Sequence, residues 1–326
     1  MQSHRSEIPV IDLSPARCGS AELASLAREI GAAARQIGFF TVVNHGIPPG
    51  LCADVLRVSR AFFALPEAAK ERISFEHSPQ FYGFSPMGAE QLHPDRPGDL
   101  KESYNMGRDL APDDPDVIAG KPFHGLNLWP DAAEFRETLL TYFTAAHALC
   151  VALHRAVAID LGVEPNFFDA KLDRTLGVLR LLHYPPHRGH FDDVLYGAAP
   201  HTDYGNITLL MQDDAGGLEV QSRDGHWVAV PPVTGALVCN IGDALMRWSN
   251  DTYISTPHRV VNRSGRERYS VAFFGDPNGD ATIECLPQCS SVERPPKYAP
   301  IDYADYLARR LAETYQRPLA TGVETV

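Results

Sequence analysis

Several things are scarce in this sequence. No uninterrupted apolar run approaches the ~20 residues needed to span a bilayer, so a membrane protein is not expected. Cysteine is sparse: Cys18, Cys52, Cys150, Cys239, Cys285 and Cys289 are scattered through 326 residues. Only the last two lie close together, and no nearby His completes a zinc pattern. Reduced thiols in a cytoplasmic protein are therefore expected, not a disulfide framework. Positive charge is also short, with 29 Lys and Arg against 41 Asp and Glu and a net charge of −12. That argues against non-specific nucleic-acid binding and against an anionic membrane surface. It leaves room for a small anionic ligand, because local arginines decide that. Internal repeats, low-complexity segments and linkers are missing too. Met1-Gln2-Ser3-His4-Arg5 leads straight into a strand-like segment, so no signal peptide is expected.

What is present has an ordinary globular balance, 44% hydrophobic and 21% charged. A single domain over 1–326 is expected. Residues 1–130 read as a mixed α/β region, 131–163 as a long helix, 170–290 as a stranded core and 291–326 as a segment with a C-terminal helix. Ile8 to Leu13 and Gly38 to Val43 read as strands, and Leu23, Leu26, Ala27, Ile30 and Ile37 recur at helical spacing between them. A second helix is expected at about 50–64. Residues 74–130 are rich in Pro, Gly and Asp, which predicts a long irregular region with short elements, of the kind that often lies over a site.

From Asp131 to Leu161 the pattern is one helix. Leu139, Phe143, Ala146, Cys150, Leu153, Val157 and Leu161 make a continuous apolar stripe, ended by Gly162. Beyond it the period becomes that of strands, at about 176–184, 206–212, 218–221, 227–230, 236–241 and 268–274. Asp213-Asp214-Ala215-Gly216-Gly217 reads as a hairpin loop and Asp224-Gly225 as a tight turn. A last helix is expected at about 302–315. Many short strands on a helical support predict an α+β protein: a double-stranded β-helix (jelly-roll) core with supporting helices, including the long central one.

The most informative stretch is His201-Thr202-Asp203, with His258 far downstream. Residues i and i+2 of a strand point to one side, so His201 and Asp203 can aim an imidazole and a carboxylate at one point. A second imidazole from a distant strand would complete a two-His, one-carboxylate face. Such a face leaves about three of the six octahedral positions open and suits non-haem Fe(II) that must bind a co-substrate and O2. Alone, His-x-Asp more often describes a solvated loop His beside a turn-capping Asp. Its company changes that reading. Arg268 and Ser270 again share the i, i+2 relation, and a guanidinium fork beside a hydroxyl makes a carboxylate clamp. Arg268 lies between Tyr269 and the apolar run Val271-Ala272-Phe273-Phe274, which favours a buried Arg needing an anion over a surface cation.

His201-Thr202-Asp203-Tyr204-Gly205, Ile241-Gly242-Asp243, Trp248-Ser249-Asn250, His258-Arg259-Val260 and Arg268-Tyr269-Ser270 resemble the core of the 2-oxoglutarate- and Fe(II)-dependent dioxygenases, in their isopenicillin N synthase-like branch. Ile8 to Asp12, Gly38 to Gly46 and Phe62 to Pro66 are similar to that branch's N-terminal region, and Pro295 to Ile301 to the segment entering its last helix. The likeness covers nearly the whole chain in order. It implies that His201, Asp203 and His258 hold iron and that Arg268 and Ser270 bind the distal carboxylate of 2-oxoglutarate. It adds Tyr184 as a further 2-oxoglutarate contact. Plant members often carry Asn two residues before that Tyr; here the position is Leu182, so that contact is absent or replaced.

The resemblance implies oxidation, by default hydroxylation, of a small organic substrate with release of succinate and CO2. Fe(II), 2-oxoglutarate and O2 take part, and ascorbate is expected to stimulate. Neither the substrate nor an oligomeric state is legible. Alternatives within the fold are an isopenicillin N synthase-like oxidase that uses the Arg-x-Ser pair for its substrate without 2-oxoglutarate, and ethylene-forming turnover of 2-oxoglutarate itself. A jelly-roll binding protein with a silent metal site is a third.

The remaining candidates have plainer readings. His45 reads as a feature of the fold, His147 and His154 as neighbours of the long helix's stripe, and His183, His187 and His190 as a polar cluster that invites a second metal. Trp248 reads as core, and Asn240 and Asp243 as turn formers around Gly242. Tyr82, Tyr104, Asn105, Arg108 and Tyr196 can contact substrate or simply pack loops.

Overall fold

The computed structural model describes residues 8–14, 20–92, 97–186 and 196–315. In chain order the elements are β1 (Val10–Asp12), α1 (Ser20–Gln36), β2 (Phe39–Val43), α2 (Pro49–Phe63), α3 (Glu67–Glu71), β3 (Gly83–Ser85), β4 (Glu102–Met106), α4 (Pro115–Ile118) and α5 (Phe135–Asp160). There follow β5 (Val178–Tyr184), β6 (Ala198–His201), β7 (Ile207–Gln212), β8 (Leu218–Gln221), β9 (Trp227–Ala229), β10 (Leu237–Ile241) and α6 (Asp243–Trp248). The last are β11 (His258–Val260), β12 (Arg268–Gly275), β13 (Thr282–Ile283), β14 (Ile301–Asp302) and α7 (Tyr303–Tyr315).

The stripe on α5 is buried throughout, from Leu139 and Phe143 to Val157 and Leu161. The helix packs on α1 and α2 and touches β7 and β12. Its length and apolarity alone would suit a membrane crossing, but most of its apolar stretch is buried in this core. Gly162 takes the left-handed conformation (φ +76°), and Val163 N donates to Ala158 O at 3.0 Å, a glycine-terminated helix end. The start falls at Phe135 rather than Asp131, because Glu134 is itself left-handed (φ +62°) and stops the helix propagating upstream.

Eight strands form one sheet in the order β1-β2-β10-β7-β12-β5-β4-β3, antiparallel except for β1 with β2. Four more form an antiparallel sheet, β6-β11-β8-β9. The large sheet is covered on both faces. On β12, Tyr269, Val271 and Phe273 join the core shared with α5. Ala272 faces the other way, into an apolar layer built from Leu182, Tyr184 and Val238 of the large sheet and Leu218, Val220 and Val260 of the small one. Strict alternation along β12 thus gives one face to the helical core and the other to the space between the sheets.

One expectation needs correction. Asp213–Gly217 does not close a hairpin: β7 lies in the large sheet and β8 in the small one, so the loop carries the chain between sheets. Gly216 (φ +73°) and Gly217 (φ +92°) allow that change of direction, and a Cβ on Gly217 would approach Val261 O to 2.7 Å. The short elements expected in the region 74–130 include two fully buried strands, β3 and β4, at one edge of the large sheet. The short strands β6 and β11 lie outside the ranges that strand periodicity gives, although His201 and His258 are read as strand residues from their motif. Asp224-Gly225 does form a tight turn, joining the paired β8 and β9 with Gly225 at φ +85°.

Candidate active site

Pairing of β11 with β6 places His258 directly opposite His201, with ring centres 4.3 Å apart. Asp203 lies just beyond the end of β6, so it reaches the same point from a turn and not by strand alternation. Ligand atoms of the three residues all lie within 4.8 Å of one another, the sole such His/Cys/Asp/Glu group among the described residues. His201 Nε2 and His258 Nε2 stand 3.9 and 3.7 Å from Asp203 Oδ1. The other ring nitrogens are committed to backbone: Nδ1 of His201 to Ala199 O at 2.7 Å and Nδ1 of His258 to Thr256 O at 3.2 Å. Donation from Nδ1 fixes the tautomer that leaves Nε2 as a free lone pair. Burial, with the facing His258 ring, pushes the His201 pKa down to about 3, so that imidazole is neutral. Burial acts to raise the Asp203 pKa, but the His258 and His201 rings together with the hydrogen bonds from Asn240 and Thr208 hold the carboxyl below its usual range.

Asp203 is oriented by residues the sequence did not single out for this. Its Oδ2 accepts from Thr208 Oγ1 at 2.5 Å and from Asn240 Nδ2 at 2.7 Å, which leaves Oδ1 to the imidazoles. Its own turn is pinned by Asp243 N donating to Asp203 O and Gly242 N to Asn206 O. A Cβ on Gly242 would meet Gly205 O at 2.3 Å and Asp203 O at 3.1 Å, which is why the sequence has glycine there. Asp243 Oδ2 then accepts from Thr202, Tyr306 and Arg310, tying α7 to the same turn.

Arg268 is fully buried in β12. Its Nε donates to Gly216 O at 2.6 Å, Nη1 to Ser270 Oγ at 3.1 Å and Nη2 to Gln212 Oε1 at 3.3 Å. No carboxylate among the described residues pairs with it. The guanidinium lies 4.6 Å over the ring of Tyr184, its direct cross-strand partner. Ser270 stands opposite Leu182, so the position where plant members carry Asn presents an apolar side chain to the clamp. A buried, incompletely satisfied guanidinium beside a hydroxyl and an aromatic face is a site for an anion.

One cavity joins the His-Asp-His cluster, the clamp and a further chamber. Tyr82 and Asn105 line it, as do Phe81, Phe123, Phe274 and Leu307. Tyr104, Arg108 and Tyr196 do not; Tyr104 is buried with its hydroxyl on Leu128 O. One wall is a buried charge network in which Lys101 pairs with Asp99 and Glu90, and Arg180 with Glu90 and Asn105. Asp276, just after β12, lines the cavity near Tyr303 of α7. Burial pushes its pKa up to about 8; the Tyr303 hydroxyl beside it tempers the rise, although the two do not meet in hydrogen-bonding geometry.

The other histidines stand apart. His183 binds Glu102 through Nδ1 at 2.7 Å and stacks on Tyr269. His147 contacts Leu172 O, His154 is buried in the core on Cys150 O, and His45 shapes its own turn. Trp248 is core. His187 and His190 lie outside the described residues.

Comparison with known proteins is consistent along the chain. Residues 8–132 match the family described as non-haem dioxygenase in morphine synthesis N-terminal, and residues 176–277 match the 2OG-Fe(II) oxygenase superfamily. The chain is 38% identical over 317 residues to the 2-oxoglutarate-Fe(II) type oxidoreductase hxnY of Emericella nidulans, covering 95% of this chain and 90% of that one. Among solved structures it is similar to a full-length Neurospora crassa protein in complex with alpha-KG, with TM-score 0.85, 34% identity and 94% and 96% of the two chains covered. It is also similar to JOX2 in complex with 2OG, Fe and JA, with TM-score 0.76, 32% identity and 93% and 84% covered.

Proposed function

This chain belongs to the 2OG-Fe(II) oxygenase superfamily, and we propose that His201, Asp203 and His258 hold its iron while Arg268, Ser270 and Tyr184 seat its 2-oxoglutarate. The protein is a non-haem Fe(II)- and 2-oxoglutarate-dependent dioxygenase, an oxidoreductase. Iron(II) with 2-oxoglutarate and O2 supplies the oxidising chemistry, converting 2-oxoglutarate to succinate and CO2 as the substrate is oxidised. The residues fit that group: two imidazole nitrogens and one carboxylate oxygen lie within 4.8 Å of one another, a donor set that suits non-haem Fe(II).

Each residue has a definable task. Asp203 brings one negative charge, so a divalent ion there keeps a net positive charge that favours an anionic chelator. The Arg268 fork and the Ser270 hydroxyl fix the far carboxylate, with the Tyr184 ring beneath the guanidinium. Leu182, Leu210, Leu218 and Val260 line the same space and keep water from it. Hydroxylation of a small organic molecule is the default outcome of this arrangement. The two sheets are read as the walls of a double-stranded β-helix within one domain, supported by the apolar layer between them and by a single core joining α1, α2, α5 and α7 to the large sheet. Cytoplasmic placement belongs to the same reading, supported by five free thiols among the described residues.

The observation that carries the assignment is the convergence of both Nε2 atoms on one oxygen of Asp203, with the Nδ1 atoms and the other oxygen already engaged. The test is iron content with anaerobic titration by 2-oxoglutarate, read by the visible metal-to-ligand charge-transfer band. Ala at 201, 203 or 258 should abolish iron loading and the band, whereas replacing His187 or His190 should leave both near normal. Full iron occupancy in any of the first three would sink the assignment.

A further inference from the structure

Gly205 and the residue that follows β12 meet at the metal end of the cavity. Residues 268, 270, 272, 274 and 276 all line the cavity, so Asp276 ends the row that the clamp begins. Its main chain is fixed by Thr175 Oγ1 donating to Asp276 O at 2.5 Å. Its side chain is buried, and a Cβ on Gly205 would lie 1.8 Å from Oδ1, so only glycine at 205 lets the carboxyl reach this position.

Among the described residues neither Asp276 Oδ1 nor the fully buried Tyr303 hydroxyl has a partner in good hydrogen-bonding geometry, although the two face each other. No ion pair reaches Asp276 among the described residues, while Glu90, Lys101 and Arg180, which line the same cavity, are neutralised by one another and by Asp99. Phe123, Leu176, Phe274 and Leu307 add apolar surface to the same cavity. Buried polar atoms without partners are costly, and in a cavity wall they mark where a ligand supplies the missing bonds.

We propose that Asp276 and Tyr303 are the polar anchor for the organic substrate and select a small molecule presenting an amide or lactam edge, an N–H beside a C=O. The carboxyl accepts the N–H in either protonation state, and the Tyr303 hydroxyl, or the carboxyl itself when neutral, donates to the adjacent C=O. A ligand carrying a carboxylate at that end buries a negative charge with no cation among the described residues to pair it, and binds more weakly. The inference rests on the dioxygenase reading of the adjoining site.

The test uses the anaerobic Fe(II)·2-oxoglutarate holoenzyme and three matched probes: benzamide, N,N-dimethylbenzamide and benzoate. Binding beside the metal is read as a change in the charge-transfer band. Benzamide should act at a concentration about tenfold lower than the other two, the worth of one or two well-made hydrogen bonds. Asp276→Leu should erase that preference, and Tyr303→Phe, which keeps the ring and its packing, should reduce it. Equal responses to all three probes, no response to any, or a preference that survives in Tyr303→Phe and in folded Asp276→Leu would overturn the anchor. Absence of the band itself would overturn the co-substrate reading beneath it, so the two failures are told apart.

Discussion

Asn240 donates from Nδ2 to Oδ2 of Asp203 at 2.7 Å, and that bond decides which carboxylate oxygen faces His201 and His258. Asn240→Leu, or Thr208→Val on the other side of the same oxygen, should weaken iron binding by roughly 10–100-fold, the usual cost of losing an outer partner of a ligand. The iron dissociation constant, measured beside circular dichroism, checks it. Unchanged affinity in the double variant would mean that Asp203 needs no orientation.

On the proposed reading, Arg268 bears on 2-oxoglutarate and not on iron. Truncating one partner of a buried charge pair costs ~2–5 kcal/mol, and ~1.4 kcal/mol is a factor of ten. Arg268→Gln should therefore raise the KM for 2-oxoglutarate by more than tenfold with iron content near normal. Ser270→Ala should have a milder effect in the same direction. An unchanged KM in a folded, iron-loaded Arg268→Gln protein would remove the clamp from this account.

Gly242→Ala forces a Cβ to 2.3 Å from the Gly205 carbonyl, a backbone atom that cannot swing aside. The turn that carries Asp203 must shift, so iron loading should fall and the melting temperature with it. Gly50→Ala is the control: nothing lies within 4 Å of its Cβ, and its Tm should hold or rise slightly. Equal iron content in both variants would contradict the role given to Gly242.

His154 gives the protein an acid-side weakness. Burial pushes its pKa down to about 4, against the pull of its bond to Cys150 O. Its folded pKa lies below the unfolded value, so between about pH 6.5 and 4 the unfolded chain binds the extra proton. Stability from this group is full above that window and falls with pH by up to about 1.4 kcal/mol per unit. Urea unfolding across pH 4–7 should be less steep in His154→Gln by about one proton. Parallel curves would refute the assignment.

What could be read in the sequence follows from range. The α5 stripe and the motifs around His201, His258 and Arg268 are local patterns, and the structure assembles His201, Asp203 and His258 at one point. Asn240 reads as a turn former because nothing local shows that β10 pairs with β7 and brings it beside Asp203. β4 escaped because Glu102, Ser103 and Asn105 look solvated; they are buried only because Lys70, His183 and Arg180 come to meet them. β6 is too short, and too rich in Ala, Pro and His, to carry a strand signal. The loop after β7 has hairpin residues, but glycines that turn a chain back also let it cross to another sheet.

The two-faced β12 leaves the enzyme no graded route to failure. Tyr269, Val271 and Phe273 belong to the helical core, while Arg268, Ser270 and Asp276 belong to the cavity. Deleting or inserting one residue within the strand would exchange the two sets, putting a guanidinium into the core and aromatic rings into the site. Assembly of the catalytic chamber and collapse of the core are then a single event, and a newly made chain has its clamp in place as soon as it is folded.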